Sequence, residues 1–273
     1  MLIDGKKIAR ELLSMLQALP PPSSPRAFPF SIVAVLVGDD PSSRTFLRQK
    51  RIAADSLGVL FSVRELLPES TTEEIVAVLE ELGRDPSVGG IIVQLPLPQH
   101  VGRSKVLSAI PPEKDVDCLT PRNFSDFESG SWLMPPAAGA LEAIVEVLDI
   151  HLSSVRAAVV GRGLLVGMPA AVFLKRRAKS VEVLGRGDNL KRRLPEAGLI
   201  VSGTGEENLI GADCVRKGAV VVDFGYPHDA DFEAIDKKGG VVTPTPGGTG
   251  PIVVAKLFEN FYRLQGLFPP GKK

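Results

Sequence analysis

The sequence predicts an α/β fold of two domains, and two features of its 273 residues support that prediction. Short runs of β-branched and other apolar residues recur along the chain, and amphipathic stretches with helical spacing separate most of them. The apolar runs are continuous and do not alternate with polar residues, which indicates strands buried on both faces, as in parallel sheets built from βαβ units. A chain of this length can also form two hydrophobic cores.

The predicted elements alternate between strands and helices along both halves of the chain. The first half has strand patterns at 30–38, 59–66 and 88–96 and helical patterns at 42–57 and 72–84. The second half has strand patterns at 155–161, 180–185, 197–203 and 218–225 and a helical pattern at 165–177. Three further segments predict a surface loop, a helix that links the halves, and a final helix that could pack on either half: 19–29, 137–150 and 251–266.

The composition excludes several classes of protein. Lys and Arg number 32 and so do Asp and Glu, which argues against a dedicated nucleic-acid or membrane-surface binder. Cys118 and Cys214 are far apart in sequence and lie in no metal-binding pattern, so neither a zinc site nor a disulfide framework is expected. The first residues do not resemble a signal peptide, and no apolar run is as long as a membrane span. We therefore expect a soluble cytoplasmic protein without a metal.

A glycine-rich turn marks a candidate nucleotide site in the second half. Gly161, Gly163 and Gly167 follow a predicted strand and open a predicted helix. Such a turn brings backbone N–H groups and the positive end of a helix to a phosphate. The third glycine comes one residue later than in the usual dinucleotide fingerprint. The pattern therefore favours dinucleotide binding, although any turn between a strand and a helix can carry glycine.

The next strand favours NADP over NAD. An NAD site usually places an acidic residue at the end of this strand, where it binds the ribose 2′-hydroxyl. Here the strand ends in Leu184, Gly185 and Arg186. Arg186, together with Arg162 in the glycine turn, could bind a 2′-phosphate through two guanidinium groups. The alternative is that both arginines are ordinary surface residues, and NAD stays possible.

Lys50 differs from the three arginines beside it. In a helix over 42–57 it lies on one face with Phe46 and Ala54, whereas Arg44, Arg48 and Arg51 lie on another. From this segment alone, the lysine stem is expected to lie along the edge of the core with its ammonium group in water. The arginines predict a solvated face.

Polar residues in three other segments are candidates for ligand binding. Gln94 ends an apolar strand, which is where α/β proteins bind ligands, although it could equally satisfy loop backbone. Asp115 and Asp117 lie in one loop, too few for a metal site, and turn capping is the alternative to ligand binding. The prolines and glycines of 242–257 predict a fixed backbone close to a ligand or a turn that crosses between domains.

Six segments together resemble a known family. They are "GDDPSSRTFLRQKR", "GIIVQLPLP", "PEKDVDCLTPRN", "VVGRGLLVGMP", "GAVVVDFG" and "TPTPGGTGP". In order and spacing they resemble the signature segments of the bifunctional methylenetetrahydrofolate dehydrogenase/cyclohydrolase family, and the match covers nearly the whole chain. The resemblance implies NADP-dependent oxidation of 5,10-methylenetetrahydrofolate to the methenyl form and hydrolysis of that form to 10-formyltetrahydrofolate.

The resemblance also implies an architecture. Residues 1–135 plus 251–273 would form a folate-binding α/β domain, and residues 136–250 would form a Rossmann-type domain with a doubly wound parallel sheet. A cleft would lie between the two domains. The family further implies a final helix that returns to the first domain, a homodimer formed through the cofactor domains, and a place in one-carbon metabolism and purine biosynthesis.

By position in the motifs, the resemblance assigns roles to individual residues. Lys50 matches the catalytic lysine, Gln94 the glutamine that contacts it, and Asp117 the aspartate that binds the pterin ring. The folate pocket is predicted to include Phe46, Val93, Leu95, Pro246, Gly247, Gly248, Gly250 and Pro251. The cofactor site is predicted to include Gly161, Arg162, Gly163, Gly167, Arg186 and Tyr226, of which Gly167 and Arg186 come from the turn and strand patterns above.

The sequence departs from the family pattern at informative positions. Phe46 stands where the family usually has a tyrosine, so it keeps an aromatic face and loses the hydroxyl. Cys118 replaces a glycine, Gly163 a serine, and 184–187 a turn that usually supplies a serine for the 2′-phosphate. These departures leave open a dehydrogenase with weak or no cyclohydrolase activity, or a folate- or nucleotide-binding module. A shikimate-type NADP dehydrogenase is a further alternative that the motifs disfavour.

Overall fold

The chain folds into two compact units. The structure, a computed structural model, describes residues 1–19 and 31–267, so the loop predicted at 19–29 lies, apart from Leu19, outside the described residues. One unit contains Leu12–Pro135 and the chain from Leu257 onward, and the other contains Met1–Glu11 and Pro136–Lys256. We call them the three-stranded unit and the five-stranded unit, after their sheets.

The helices and strands alternate as the sequence predicts. In chain order they are α1 (Gly5–Gln17), β1 (Ser31–Val37), α2 (Pro41–Leu57), β2 (Leu60–Leu66), α3 (Thr72–Arg84), β3 (Val88–Val93), α4 (Arg103–Ser108), α5 (Pro121–Ser129), α6 (Pro136–Val147), β4 (Arg156–Val160), α7 (Gly167–Lys175), β5 (Ser180–Leu184), α8 (Leu190–Arg193), β6 (Leu199–Ser202), β7 (Val220–Asp223), α9 (Phe232–Lys237), β8 (Val241–Val242) and α10 (Thr249–Leu264). All seven predicted strands are present. The short elements α4, α5, α8, α9 and β8 were not predicted, because so few residues show no clear period.

Both sheets are parallel, and both have a point where the strand order reverses. The first sheet has the order β2-β1-β3 and the second the order β5-β4-β6-β7-β8. Consecutive strands therefore lie on opposite sides of β1 and of β4. Ligands of open α/β sheets bind outside the carboxyl ends of the strands at such reversal points. The segments that follow β1, β3 and β4 are thus the places to look for a site.

The edge strands correct one expectation. Continuous apolar runs predicted strands buried on both faces, and β1 and β6 are buried along nearly their whole length. In contrast, most residues of β2 and β5 are exposed or only partly buried, whereas β3, which is also an edge strand, is buried along nearly its whole length. A run of apolar residues does not reveal whether a strand lies at the edge of its sheet or whether other elements cover that edge.

Local signals define the ends of α2, the helix that carries Lys50. Asp40 accepts a hydrogen bond from the backbone N–H of Ser43 at 2.7 Å, and Pro41 occupies the first turn. Gly58 ends the helix with a φ of 67°, a conformation that glycine adopts without strain. The helix therefore begins and ends where the sequence indicates, which determines the face on which Lys50 lies.

The first eleven residues pack differently from the predicted division. The sequence placed residues 1–11 and 251–256 with the folate-binding half, and the structure places them in the five-stranded unit. Ile3 donates a backbone hydrogen bond to Val242 at 3.0 Å, and Leu2 forms a parallel bridge with Val242 at the edge of the sheet. The segment before α1 therefore extends the sheet at β8. Two or three extended residues carry no periodicity that could predict this pairing.

The final helix is divided between the two units. Its residues from Leu257 onward belong to the three-stranded unit, where Phe258 and Phe261 are fully buried. Gly89 and Gly90 of β3 leave room for the Phe261 ring, since a β-carbon at either position would lie 3.1 Å from it. None of the described helices is long and apolar enough to cross a bilayer.

Candidate active site

Lys50 and Gln94 form the centre of a buried polar site in the three-stranded unit. The Lys50 side chain is 9% exposed and that of Gln94 is 7% exposed. Lys50 Nζ donates a hydrogen bond to Gln94 Oε1 at 3.1 Å. Burial lowers the pKa of Lys50, and the nearby negative charge of Asp117 opposes this effect. The lysine therefore gives up its proton more readily than a lysine in water.

The Gln94 amide has only one orientation that satisfies its neighbours. Its Nε2 donates to the carbonyl oxygen of Leu95 at 2.9 Å, so Oε1 faces Lys50. The buried hydroxyl of Ser43, on the same face of α2 as Lys50, donates to the same carbonyl at 3.5 Å. Because Gln94 presents an acceptor, it can accept a hydrogen bond from the protonated or the neutral form of the lysine.

The loop after α4 separates the roles of its two aspartates. Asp115 is fully buried and accepts hydrogen bonds from the backbone N–H groups of Leu119 and Thr120 and from Asn123 Nδ2, at 2.8 to 3.1 Å. It thus holds the loop itself. Asp117 is partly buried, and its carboxylate accepts no hydrogen bond from the described residues. Desolvation raises the pKa of Asp117, although the charge of Lys50 opposes the shift.

Phe46 and the three arginines of α2 lie as the helical spacing predicts. Phe46 is partly buried one turn before Lys50, and the arginines are exposed. Arg44 forms a bidentate pair with Glu65, and Arg51 donates to the carbonyl of Phe61 at 3.0 Å. Arg44 and Arg51 therefore contact β2 and not the Lys50 site.

The other predicted folate contacts fall in two places. Val93 ends β3 and is buried, and Leu95 is partly buried in the segment that follows. The predicted contacts Pro246, Gly247, Gly248, Gly250 and Pro251 belong to the five-stranded unit, at the start of α10. Their role as folate contacts stays a prediction.

A close approach of two backbones shapes this glycine loop. A β-carbon on Gly5 would lie 1.7 Å from the carbonyl oxygen of Gly248, so no side chain fits at Gly5. Gly247 has a φ of 102°, a conformation that favours glycine. Thr249 Oγ1 donates to the carbonyl of Asp223 at 2.8 Å and ties the loop to the end of β7. The sequence predicted a tight backbone here but not the contribution of Gly5, whose only signal is a glycine in the first turn of a helix.

The turn after β4 is tightly packed on one side and open on the other. Gly161 has a φ of 102°, and a β-carbon on Gly167 would lie 2.3 Å from the carbonyl oxygen of Gly161. The first turn of α7 therefore packs directly on the end of β4. A β-carbon on Gly163 would meet no atom within 4 Å, so this side of the turn is open to a ligand.

Arg162 lies across the end of β5. Its Nη2 donates to the carbonyl of Val183 at 3.5 Å, and a β-carbon on Gly185 would lie 3.4 Å from its Nε. The missing side chain at Gly185 therefore leaves room for the guanidinium group. Arg186 is exposed in the following turn, which Asp188 holds by accepting a hydrogen bond from the N–H of Gly185 at 2.8 Å.

Two buried aspartates hold the loops that follow β6 and β7. Asp229 accepts hydrogen bonds from the Ser202 hydroxyl and from the N–H groups of Thr204, Gly205 and Glu206. Asp223 accepts from the N–H groups of Gly225 and Ala230 at 2.7 and 2.9 Å. Tyr226, a predicted cofactor contact, is 58% exposed between them. Sequence reasoning missed both aspartates.

We expect Asp223 to make stability depend on pH. Desolvation by burial raises the pKa of Asp223 from 3.8 to about 6, so the folded protein binds this proton more tightly than the unfolded chain does. The contribution of Asp223 to the free energy of unfolding therefore falls as pH rises from 3.8 through about 6. Relative to Asp223→Asn, the wild type should lose about 1 kcal/mol of unfolding free energy between pH 5 and pH 7. Urea denaturation of both proteins at the two pH values measures this difference, and a constant difference would contradict the expectation.

Fold and site together define a class of protein. Each unit carries polar or glycine-rich segments at the carboxyl edge of a parallel sheet: a buried lysine and glutamine in one, a phosphate-type turn in the other. No group of three or more His, Cys, Asp or Glu side chains within residues 1–19 and 31–267 is placed to hold a metal ion. This combination defines a two-domain α/β enzyme with an acid–base group and a nucleotide-type turn.

Comparison with known proteins identifies the family. Residues 3–117 match the sequence model of "Tetrahydrofolate dehydrogenase/cyclohydrolase, catalytic domain", and residues 135–266 match that of its "NAD(P)-binding domain". The bifunctional protein FolD of Lactobacillus delbrueckii subsp. bulgaricus is 34% identical over 272 residues, which cover 96% of each chain. That of Staphylococcus aureus is 34% identical over 95% of this chain and 94% of its own. The chain belongs to the tetrahydrofolate dehydrogenase/cyclohydrolase family.

Solved structures of relatives have the same fold. The bifunctional FolD enzyme of Campylobacter jejuni is 31% identical, with a TM-score of 0.90 over 97% of this chain and 98% of its own. The enzyme of Trypanosoma brucei, solved with NADP and an inhibitor, is 26% identical, with a TM-score of 0.89 over 97% of this chain and 96% of its own. A shikimate dehydrogenase in complex with NADP+ is 13% identical with a TM-score of 0.59 over 89% of this chain and 92% of its own, and therefore shares the fold alone. The two-domain α/β fold predicted from the sequence is confirmed.

Proposed function

We propose that the chain is a bifunctional enzyme that oxidises 5,10-methylenetetrahydrofolate to the methenyl form with NADP+ and hydrolyses that form to 10-formyltetrahydrofolate. Family membership over both domains supports both activities. The observation that carries the proposal is the buried pair of Lys50 and Gln94, because it supplies an acid–base group with a lowered pKa.

The turn after β4 fits a dinucleotide phosphate. The contact of Gly167 with Gly161 brings the first turn of α7 against the end of β4, and the open side at Gly163 leaves space for phosphate oxygens. NADP+, when bound, accepts the hydride. We propose that Gly161, Arg162, Gly163 and Gly167 hold it and that Tyr226 adds a backbone contact.

The surroundings of β5 support NADP over NAD. Two acidic residues in this region could bind a ribose 2′-hydroxyl, and both have other partners. The carboxylate of Glu182 pairs with Arg193, and that of Asp188 accepts from Gly185 N–H. Arg162 lies over the strand end, where its guanidinium could bind a 2′-phosphate. Whether Arg186 adds a second contact stays a prediction.

For the hydrolytic step we propose that Lys50 moves the proton. As a neutral amine it accepts a proton from the water as the water oxygen bonds to the methenyl carbon, and as an ammonium it donates that proton to the ring nitrogen whose bond to this carbon breaks. The remaining hydroxyl proton passes to solvent as the formyl C=O forms. Gln94 Oε1 holds Nζ in both states. We propose that the Asp117 carboxylate accepts hydrogen bonds from the pterin ring and that Phe46, Val93 and Leu95 contact its flat faces.

A dehydrogenase with weak cyclohydrolase activity is the second candidate, and Phe46 favours it. The ring lies one turn before Lys50 without the hydroxyl that the family usually has there. Hydride transfer depends mainly on the positions of two flat ligands, whereas hydrolysis also needs proton transfer. Loss of a hydroxyl near Lys50 should therefore affect hydrolysis more.

Phe46→Tyr tests this candidate. We expect the cyclohydrolase rate to rise about fivefold, because one hydrogen bond near Lys50 contributes about 1 kcal/mol, and the dehydrogenase rate to change less than about twofold. Formation of NADPH and decay of the methenyl form are followed in parallel. Phe46→Leu serves as the control, since it removes the aromatic face as well. An unchanged cyclohydrolase rate in Phe46→Tyr would mean that the hydroxyl does not limit hydrolysis.

We also propose a homodimer formed through the five-stranded units, a cytoplasmic location, and a role in one-carbon metabolism that supplies purine biosynthesis. The family resemblance supports these assignments. The mass in solution, measured by light scattering, tests the first: a dimer has twice the 29.1 kDa of the chain. Wild-type protein that forms neither NADPH with NADP+ nor NADH with NAD+ from methylenetetrahydrofolate would overturn the proposed activity.

A further inference from the structure

We propose that Asn260 of α10 is a positioning residue for the Asp117 carboxylate, and that it sets the affinity of the folate site without touching the substrate. The inference rests on the proposed function, because Asp117 is there assigned to the pterin ring. Asn260 lies 143 residues after Asp117 in the sequence. The first turn of its helix contains the predicted folate contacts Gly250 and Pro251, but neither the sequence patterns nor the family motifs assign a role to Asn260 itself.

Asn260 makes two hydrogen bonds inside the three-stranded unit. Its side chain is 5% exposed, and Nδ2 donates to the carbonyl oxygens of Val116 at 2.9 Å and Met134 at 2.8 Å. An amide NH₂ group has two protons, so both are used. A polar side chain buried on the apolar side of a helix is costly unless it is satisfied in this way. The amide thus joins two segments of loop backbone to α10.

The first of these bonds holds the peptide just before Asp117. The Val116 side chain is fully buried, and a β-carbon on Gly90 of β3 would lie 2.8 Å from it. Val116 therefore packs against β3 while its carbonyl faces α10. The side chain and the carbonyl group of Val116 are thus both held in place. The packing of the side chain and the hydrogen bond from Asn260 therefore determine the backbone direction at Asp117.

The residue after Asp117 is equally constrained. Cys118 is fully buried with a φ of 56°, which is unusual for a residue other than glycine. Its backbone N–H donates to the carbonyl of Asp115 at 3.3 Å. Its Sγ lies 3.9 Å from the carbonyl oxygen of Leu133, the residue before Met134. The same two loop segments are thus joined on both sides of Asp117.

Asp117 itself has no such support. Its carboxylate accepts no hydrogen bond from the described residues, so the backbone on either side determines where it points. It lies near enough to Lys50 for each charge to affect the pKa of the other. A rotation of the Val116 peptide would move the carboxylate relative to the lysine. Asn260 prevents this rotation, which is the sense in which it acts on the site.

Asn260→Leu tests the proposal, because leucine keeps the size of the side chain and removes both donors. Isothermal titration of the full chain with tetrahydrofolate and, separately, with NADP+ gives the two dissociation constants. We expect the Kd for tetrahydrofolate to rise about tenfold or more, as for loss of about 1.4 kcal/mol of binding free energy, and the Kd for NADP+ to stay within about twofold.

Gln265→Leu is the matched control. Gln265 lies directly after α10 and donates from its own amide, Nε2, to the carbonyl of Gly89 at 2.8 Å. This variant therefore loses the same kind of bond, from a side-chain amide to a backbone carbonyl within the three-stranded unit, but its partner is β3 and not the segment next to Asp117. Its Kd for tetrahydrofolate should match that of the wild type. An equal rise in both variants would reduce the role of Asn260 to general stability and overturn the proposal.

A double-mutant cycle gives a readout that a structural role would not change. If Asn260 acts through Asp117, the variant Asn260→Leu/Asp117→Asn should bind tetrahydrofolate no more weakly than Asp117→Asn alone. If the two substitutions raise the Kd for tetrahydrofolate independently, so that their factors multiply, the proposal is overturned. A folded Asn260→Leu variant with an unchanged Kd for tetrahydrofolate would also overturn it. Should Asn260→Leu fail to fold, Asn260→Ser, which keeps one donor, is judged by the same criteria.

The outcome separates this proposal from the proposed function. Wild-type protein that binds tetrahydrofolate but forms no NADPH would overturn the enzymatic activity, and the binding data would still decide the role of Asn260. Wild-type protein that binds no tetrahydrofolate would overturn both.

Discussion

Replacing Lys50 with methionine is expected to lower the rate of methenyltetrahydrofolate hydrolysis at least about 100-fold, the usual contribution of a positioned acid–base group. Methionine fills the same buried space on α2, so the fold should persist at a cost of about 1–3 kcal/mol for the unpaired Gln94 oxygen. Hydride transfer needs no proton from this group and should fall much less. The decay of the methenyl form and the formation of NADPH measure the two rates.

Arg48→Met is the control for this prediction. Arg48 is exposed on the same helix two residues earlier, so its replacement removes a positive charge of α2 without entering the site. Both rates should stay near those of the wild type. Equal losses of the two activities in Lys50→Met would indicate that the lysine binds folate and does not transfer the proton, and full hydrolysis would exclude it from the chemistry.

Gly167→Ala is expected to damage the nucleotide turn severely. The new methyl group would lie 2.3 Å from the carbonyl oxygen of Gly161 and 2.9 Å from the α-carbon of Arg162. These are backbone atoms, so the turn itself must open. The KM for NADP+ should rise at least about tenfold, and the unfolding free energy should fall by about 1–3 kcal/mol, as for other overpacked sites.

The same turn supplies the control. A methyl group at Gly163 would meet no atom within 4 Å, and the residue needs no left-handed conformation. Gly163→Ala should therefore change stability by less than about 0.5 kcal/mol, or increase it slightly by restricting the unfolded chain. Initial rates over a range of NADP+ concentrations and urea denaturation test both variants. Gly163→Ala is the control for stability only, because the space at Gly163 is assigned to phosphate oxygens. Equal losses of unfolding free energy in the two variants would show that the close packing of Gly167 on Gly161 does not determine the stability of the turn.

The sequence predicts the order of elements well because its long elements carry clear periods. The strands β1 and β3 and the helices α2 and α3 appear within a few residues of their predicted positions. The pairing of the first residues with β8 and the exposure of β2 were not predictable in the same way. Both depend on which strands and strand edges other segments cover, and contacts between segments far apart in sequence determine this.

The residues of the candidate site also differ in how far the sequence could predict them. The residue pattern alone predicted the Lys50 ammonium group in water, which is wrong, and left the role of Gln94 open. The family resemblance paired the two residues, and the structure buries them within hydrogen-bond distance. Asp115 and Asp117 could not be told apart, since a loop has no period and only the N–H groups of Leu119 and Thr120 show which carboxylate is engaged. Asn260 carried a signal that was not used: it is the polar member of the apolar face that contains Leu257, Phe261 and Leu264.

The position of the boundary within α10 has a consequence for synthesis of the chain. Residues 12–135 are synthesised well before Phe258 and Phe261, which belong to the same core. Most of the five-stranded unit is synthesised later, but all of its residues are present once residue 256 has been added. The half made first is thus completed after the half made second, and its core stays unfilled on the ribosome until residues 257–261 have been synthesised.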